Sequence, residues 1–119
     1  SLLGHGVREH QVVTLEEAVR LLTDVPARLY GLKERGRITP GCHADLVMFD
    51  PATVDHGPEY TRYDLPAGAP RLVADARGIA NVWVGGVEVC RGGDATGDMP
   101  GTVLRSGRDT ETVRAARHD

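Results

Sequence analysis

A chain of 119 residues with a formal charge of −3 is sized for one domain or one piece of a larger protein. It has no basic field for holding phosphate backbones or anionic lipid, so nucleic acid and membrane are excluded as partners. With 40% apolar but only 4% aromatic residues, its core is modest and built from Val, Leu, Ile and Ala. No window approaches the ~18 apolar residues of a membrane span, and Ser1–His10 lacks a secretory pattern, so a cytoplasmic location is the default expectation.

The first strong signal is helical. Thr14 followed by Glu17 forms a capping box, with the Thr hydroxyl accepting from the Glu17 amide and the Glu side chain returning to the Thr14 amide, so a helix starts near Leu15. Leu15, Ala18, Val19 and Leu22 make one apolar stripe, and Glu16 and Arg20 lie one turn apart on the wet face. A second short helix follows, with Pro26 in its first turn, Leu29 and Tyr30 facing inward and Gly31 as a left-handed C-cap.

Period two takes over from Lys33. Arg37, Ile38 and Thr39 read as a short strand, and Pro40 and Gly41 as the central pair of a type II turn. In "ADLVMFD", Ala44, Leu46 and Met48 alternate with Asp45, Val47 and Phe49. Both faces are apolar after Asp45, which predicts a strand inside a sheet covered on both sides, ended by Asp50-Pro51. Residues 55–70, with their prolines and glycines, read as a long irregular surface loop. Two apolar runs flanking Gly85-Gly86 predict a hairpin that pairs Val84 with Val87 and Val82 with Val89. Four valines then share one face, the candidate core, opposite Asn81, Trp83, Glu88 and Cys90. Val103 and Leu104 read as a short strand or plug. Beyond Arg108 the chain is expected to fray, with Arg105, Arg108, Arg114 and Arg117 interspersed with Asp109, Glu111 and Asp119 in a solvated tail.

Chemistry is sparse. The histidines His5, His10, His43, His56 and His118 form neither His-x-His nor His-Glu-x-x-His, so no pair is preset by spacing to clasp a metal. Cys42 and His43, as strand neighbours, point to opposite faces. Cys42 and Cys90 have no Cys-x-x-Cys partner; a disulfide between them stays open, but reduced thiols serving as small apolar side chains are the favoured reading. Asp45 reads as a carboxylate capping the backbone of the preceding glycine turn rather than a catalytic group. Ser106 lies in no nucleophile elbow, and "RGGDATGDMPG" neither follows a strand nor opens a helix as phosphate loops do. No catalytic, cofactor-binding or metal-binding residue is assigned in this chain.

The order of the segments carries more. The helix "TLEEAVRLLTDVPARLYGL", then "RGRITPGCHADLVMFD", then the hairpin "IANVWVGGVEVCRGG" resembles the C-terminal end of a metal-dependent amidohydrolase. "LPAGAPRLVADARGI" and "TGDMPGTVLRSGRDT" make it similar, more narrowly, to the D-aminoacylase branch, the N-acyl-D-amino-acid deacylases. The resemblance runs from about Leu2 to Thr110. Relatives commonly read Asn-Gly where this chain has Gly85-Gly86, and often place an aromatic where it has Gly6.

The resemblance implies a parent with a (β/α)8 barrel holding one or two zinc ions and a small composite β-sandwich. In such a parent, metal-bound hydroxide attacks the amide carbonyl and a barrel aspartate moves the proton to the leaving amine. Those ligands and that aspartate lie upstream of this sequence, and His5 is not assigned as a ligand. The implied fold class is α+β, mainly β: a helical segment over 1–32 from the end of the barrel region, a β-sandwich portion over 33–108 and a flexible tail over 109–119, with the barrel absent. The Gly36–Asp50 signature then marks a strand returning from barrel to sandwich. Expected partners are the rest of the parent, meaning barrel and N-terminal strands, and further copies of the chain through its unpaired edges. The chain itself is expected to be catalytically silent and to hold no cofactor. The rival readings are a stand-alone β-rich interaction module, and another amidohydrolase branch of dihydroorotase-like or imidazolonase-like type.

Overall fold

The computed structural model describes residues 1–115, so the expectations for Arg117, His118 and Asp119 lie outside the described residues. Helices come first: a π-helix over Leu2–Glu9, α1 over Leu15–Leu22 and α2 over Asp24–Leu29. The strands follow: β1 (Leu46–Phe49), β2 (Asp55–Arg62), β3 (Arg71–Arg77), β4 (Ile79–Val84), β5 (Val87–Arg91) and β6 (Asp94–Ala95). This is the expected α+β, mainly strand, order. None of the described helices is long and apolar enough to cross a membrane.

α1 begins where its cap dictates, with the Glu17 amide donating to Thr14 Oγ1 at 3.2 Å. The return half of the capping box is not made. The Glu17 carboxylate instead accepts a two-pronged bond from Arg20, at 2.8 and 2.9 Å, because a bidentate guanidinium outcompetes a single amide. The ion pair on the wet face is therefore Glu17 with Arg20, not Glu16. α1 and α2 pack closely through small residues, and Ala18 and Ala27 are buried. Gly31 has the expected left-handed φ of 65°. Leu29 and Tyr30, expected inside, are 66% and 70% exposed, since alanine occupies the buried face of this helix pair.

Two sheets form, one ordered β1-β4-β5-β6 and one of β2 with β3. The Gly85-Gly86 turn has φ of 57° and 81°, the left-handed pair of a type I′ hairpin. Val84 pairs with Val87 as expected, but a bulge between Val82 and Trp83 sets Val82 opposite Cys90 rather than Val89. The single valine face is lost with that register.

Of the loop expected over 55–70, the first half is strand β2 and only residues 63–70 are a connection. β2 and β3 pair antiparallel from Asp55↔Arg77 to Arg62↔Arg71, with a register break between His56 and Glu59. Gly57 and Pro58 fall in that break, and Pro66–Gly68 form a single 3₁₀ turn, so the apparent loop signals mark a bulge and a connection. Arg71 clasps Asp64 through two bonds of 2.6 Å each at the turn end. At Gly78, with φ +71°, the chain passes from β3 straight into β4 and changes sheets; a Cβ there would lie 2.5 Å from the Val54 amide nitrogen. The Gly78 carbonyl accepts from the Asp50 amide at 2.8 Å, which ties the end of β1 to the corner.

Arg37–Thr39 is not a strand. It has no ladder partner and Ile38 is 89% exposed, because Gly36 and the following turn bend the chain away from both sheets. The turn itself is as expected: Cys42 N–H donates to the Thr39 carbonyl at 3.1 Å and Gly41 has φ of 90°. Cys42 thus sits in a turn, and both cysteines are free thiols. Beyond Arg108, where fraying is expected, Lys33 donates to the Asp109 carbonyl at 3.0 Å and Glu111 to the Gly31 carbonyl at 2.8 Å. Val103 and Leu104 form no strand and are exposed.

β1 is an edge strand with one neighbour, not an interior strand, and Val47 and Met48 are each 54% exposed. Leu46 and Phe49 are partly covered, and each face of β1 is left half-open by the described residues. The same openness marks the whole body. Its radius of gyration is 17.1 Å, against about 13.5 Å for a compact chain of this length. Its surface is 9090 Å², about 2,800 Å² more than a compact monomer of its mass exposes.

Candidate functional site

Two features of the described residues carry chemistry. The first is where the π-helix lies on the start of β2. Gly4 is buried against Asp55, and a Cβ there would meet its carboxylate at 2.6 Å, so a residue without a side chain lets the helix come this near. At the next residue, His5 Nδ1 lies 3.9 Å from Asp55 Oδ1, and His56 Nε2 approaches the same oxygen to 4.0 Å. The two imidazoles are stacked with centroids 6.0 Å apart, and His10 stacks with His5 at 6.3 Å.

Asp55 is firmly held. Its Oδ1 accepts from the His56 amide at 2.8 Å and from Ser1 Oγ at 2.9 Å, and Arg8 reaches Oδ2 at 3.4 Å. The His56 amide, first, and then the Ser1 hydroxyl hold this carboxyl below the usual aspartate range. Arg8 is itself anchored by the Val54 and Pro51 carbonyls at 2.9 and 3.3 Å. Sequence spacing had no means of finding this cluster, because His5 and His56 sit on different elements that only the fold brings together.

The second feature is an open groove of about 540 Å³ between α1 and β1, floored by Val19, Leu46, Val47 and Phe49 and rimmed by Glu16, Arg20 and Arg37. His43 and Asp45 also line it, but His43 faces Glu34 and Asp45 is taken up by the Gly85 amide and Arg35.

The residues weighed from sequence do not converge. His43 faces Glu34 at 3.8 Å, while the Cys42 thiol lies 3.4 Å from Thr39 Oγ1. Ser106 is exposed in a turn. Asp45 does cap a glycine turn, but not the preceding one: its Oδ1 accepts from the Gly85 amide at 2.9 Å, and Oδ2 is paired with Arg35.

A sequence profile described as "Amidohydrolase family" matches residues 2–90, and the chain belongs to that family. Within it, the likeness is to the D-aminoacylase branch, the N-acyl-D-amino-acid deacylases, as the sequence motifs imply. The chain is 41% identical over 107 residues to the N-acyl-D-aspartate deacylase of Alcaligenes xylosoxydans xylosoxydans, covering 90% of this chain and 20% of that protein. It matches the crystal structure of N-acyl-D-glutamate deacylase from Bordetella bronchiseptica, complexed with zinc and a phosphonate inhibitor that mimics the tetrahedral intermediate, at 43% identity and a TM-score of 0.64. That match covers 88% of this chain and 20% of the other. A crystal structure of D-aminoacylase matches at 38% identity and a TM-score of 0.63, over 82% of this chain and 19% of that one. The chain thus spans about a fifth of the length of these relatives.

Proposed function

We propose that this chain is the C-terminal share of a zinc-dependent, cytoplasmic hydrolase that cleaves the amide bond of N-acyl-D-amino acids, and that its own part in that enzyme is architectural. The observation that carries the reading is the 41% identity sustained over 90% of the chain with a deacylase of which it spans only 20%. The open groove, the free edge of β1 and about 2,800 Å² of excess surface support it, being what a body shaped to be covered by a barrel and further strands exposes.

In this reading β1 and the β4–β5 hairpin belong to the composite sandwich, and α1 and α2 close the barrel region. No step of amide hydrolysis is routed through this chain. The acidic acyl-amino acids named for two relatives, N-acyl-D-aspartate and N-acyl-D-glutamate, define the first substrates to assay.

Two measurements test it. The coding sequence ahead of Ser1 is expected to continue in frame into a barrel with a His-x-His motif; a start codon directly before this segment favours the stand-alone module instead. The purified chain, incubated with zinc and N-acetyl-D-aspartate or N-acetyl-D-glutamate, is expected to release no amino acid above the buffer control. Sustained release by material freed of contaminating hydrolase overturns the silent, architectural role.

A further inference from the structure

We propose that His5, Asp55 and His56 form a binding site for one divalent transition-metal ion of the zinc type, clamping the π-helix to the start of β2. The ligand atoms are His5 Nδ1, Asp55 Oδ1 and His56 Nε2, which all lie within 4.8 Å of one another.

The tautomers carry the argument. His56 Nδ1 lies 2.9 Å from the Gly57 carbonyl, and a carbonyl only accepts, so Nδ1 bears a proton and, in the neutral imidazole that binds metal, the lone pair is on Nε2. His5 Nε2 lies 3.5 Å from the Glu9 carboxylate. An ionised carboxylate also only accepts, which leaves the His5 lone pair on Nδ1. Both lone pairs therefore turn toward the same anionic oxygen. Such an arrangement repels itself until a proton on an imidazole or a cation between the three atoms relieves it, and a metal ion is the one occupant that satisfies all three at once.

In this chain the Ser1 α-ammonium lies near that place, 3.3 Å from His5 Nδ1 and 4.0 Å from Asp55 Oδ1; Arg8 stands on the far side, against Oδ2 at 3.4 Å. Two imidazole nitrogens and a carboxylate oxygen are a usual three-ligand set for zinc, with water in the fourth position. Each ligand also has the outer support such sites require: Glu9 behind His5, the Gly57 carbonyl behind His56, and Ser1 Oγ with the His56 amide behind Asp55. Bonds of about 2.0–2.2 Å to a tetrahedral ion put ligand atoms about 3.4 Å apart. The observed 3.9 and 4.0 Å close to that by small rotations of half-exposed side chains.

The inference goes beyond the proposed function and does not rest on it, because its test reads no hydrolysis. Tag-free, chelator-stripped chain is titrated with zinc chloride by calorimetry and with cobalt(II) by visible absorption. The same titrations are run on the chain with its Ser1 amine acetylated. One ion per chain is expected, with the d–d absorption of a tetrahedral cobalt site and weaker binding on acidification as protons compete for the imidazoles. His5→Gln and His56→Gln each weaken binding at least about tenfold, and Glu9→Gln, which only frees the His5 tautomer, weakens it by about tenfold. His43→Gln leaves it unchanged. Metal-free melting temperatures of the variants read folding separately, and zinc raises the melting temperature of the parent chain but not of His56→Gln. The absence of one-to-one binding, or affinity that survives both His5→Gln and His56→Gln in folded protein, overturns the site. Binding abolished by acetylation of Ser1 alone also overturns it, since the ion would then depend on the terminal amine.

Discussion

The Gly85 amide donates to Asp45 Oδ1 at 2.9 Å, a hydrogen bond between residues forty positions apart. It joins the entrance of β1 to the tip of the β4–β5 hairpin, beside a second bond from the Gly86 amide to the Ala44 carbonyl, also of 2.9 Å. The register of the four-stranded sheet is thus pinned at the end where β1 begins. Asp45→Ala removes the acceptor and leaves Arg35 without its partner. For a half-exposed, charge-assisted bond the expected loss is about 1 kcal/mol, measured as a shift of the urea midpoint at unchanged slope. Asp45→Asn keeps an acceptor for Gly85 and is expected to recover part of it.

Gly78 is the corner between the sheets, and two independent constraints act there. Its φ is +71° and its Cβ position lies 2.5 Å from backbone. Gly78→Ala is therefore expected to cost about 3 kcal/mol or more, the strained backbone conformation adding to a collision that no side chain can relieve. Gly92, with φ +59° and nothing within 4 Å of its Cβ position, isolates the first constraint. Gly92→Ala is expected to cost only about 1 kcal/mol. Equal losses in thermal or urea unfolding would remove the steric part of the argument.

What could be read from the sequence was what local chemistry decides. The Thr14 cap, the Pro40-Gly41 turn and the Gly85-Gly86 hairpin each depend on residues within a few positions, and each forms. The β2–β3 ribbon stayed hidden because Gly57 and Pro58 mimic a loop, whereas they occupy a bulge whose partner strand lies beyond a further turn. Leu29, Tyr30 and the two apolar faces of β1 read as interior because apolar residues normally are; here the described residues cover them only in part. The histidine cluster was invisible for a different reason, since spacing rules find ligands on one element and these lie on a helix and a distant strand.

That missing cover has a consequence for the isolated chain. β1 offers an unpaired edge, and Met48 on it is 54% exposed. Such an edge, next to an apolar groove, pairs with a second copy when nothing else covers it. Sedimentation velocity is expected to show concentration-dependent association. Met48 is already about half-buried in the monomer, so covering the remainder is worth about 0.8–1.6 kcal/mol, and Met48→Lys weakens association by about four- to tenfold or more; urea unfolding of the monomer reads its effect on folding separately. A monomer at all concentrations, with Met48→Lys indistinguishable from it, would contradict the pairing.

Acid should unfold the chain by a route that can be assigned. Among the described residues four carboxyls are held below their ordinary range: Glu17 by Arg20, Asp55 chiefly by the His56 amide, Asp64 chiefly by Arg71 and Asp109 chiefly by Arg108. A carboxyl that is more acidic in the folded state than in the unfolded chain favours folding when ionised. Its contribution is complete above the unfolded value, about 3.9 for Asp and 4.3 for Glu, and is lost as the pH falls through that value toward the folded one. With respect to these groups, the metal-free melting temperature should be level above about pH 5.5 and fall progressively below about pH 5. Asp64→Asn removes one contributor that the Arg71 fork chiefly sets, so its melting temperature lies below that of the unsubstituted chain near neutrality and the two curves converge in acid. A constant gap between them down to pH 3 would show that Asp64 acts through packing rather than through its charge.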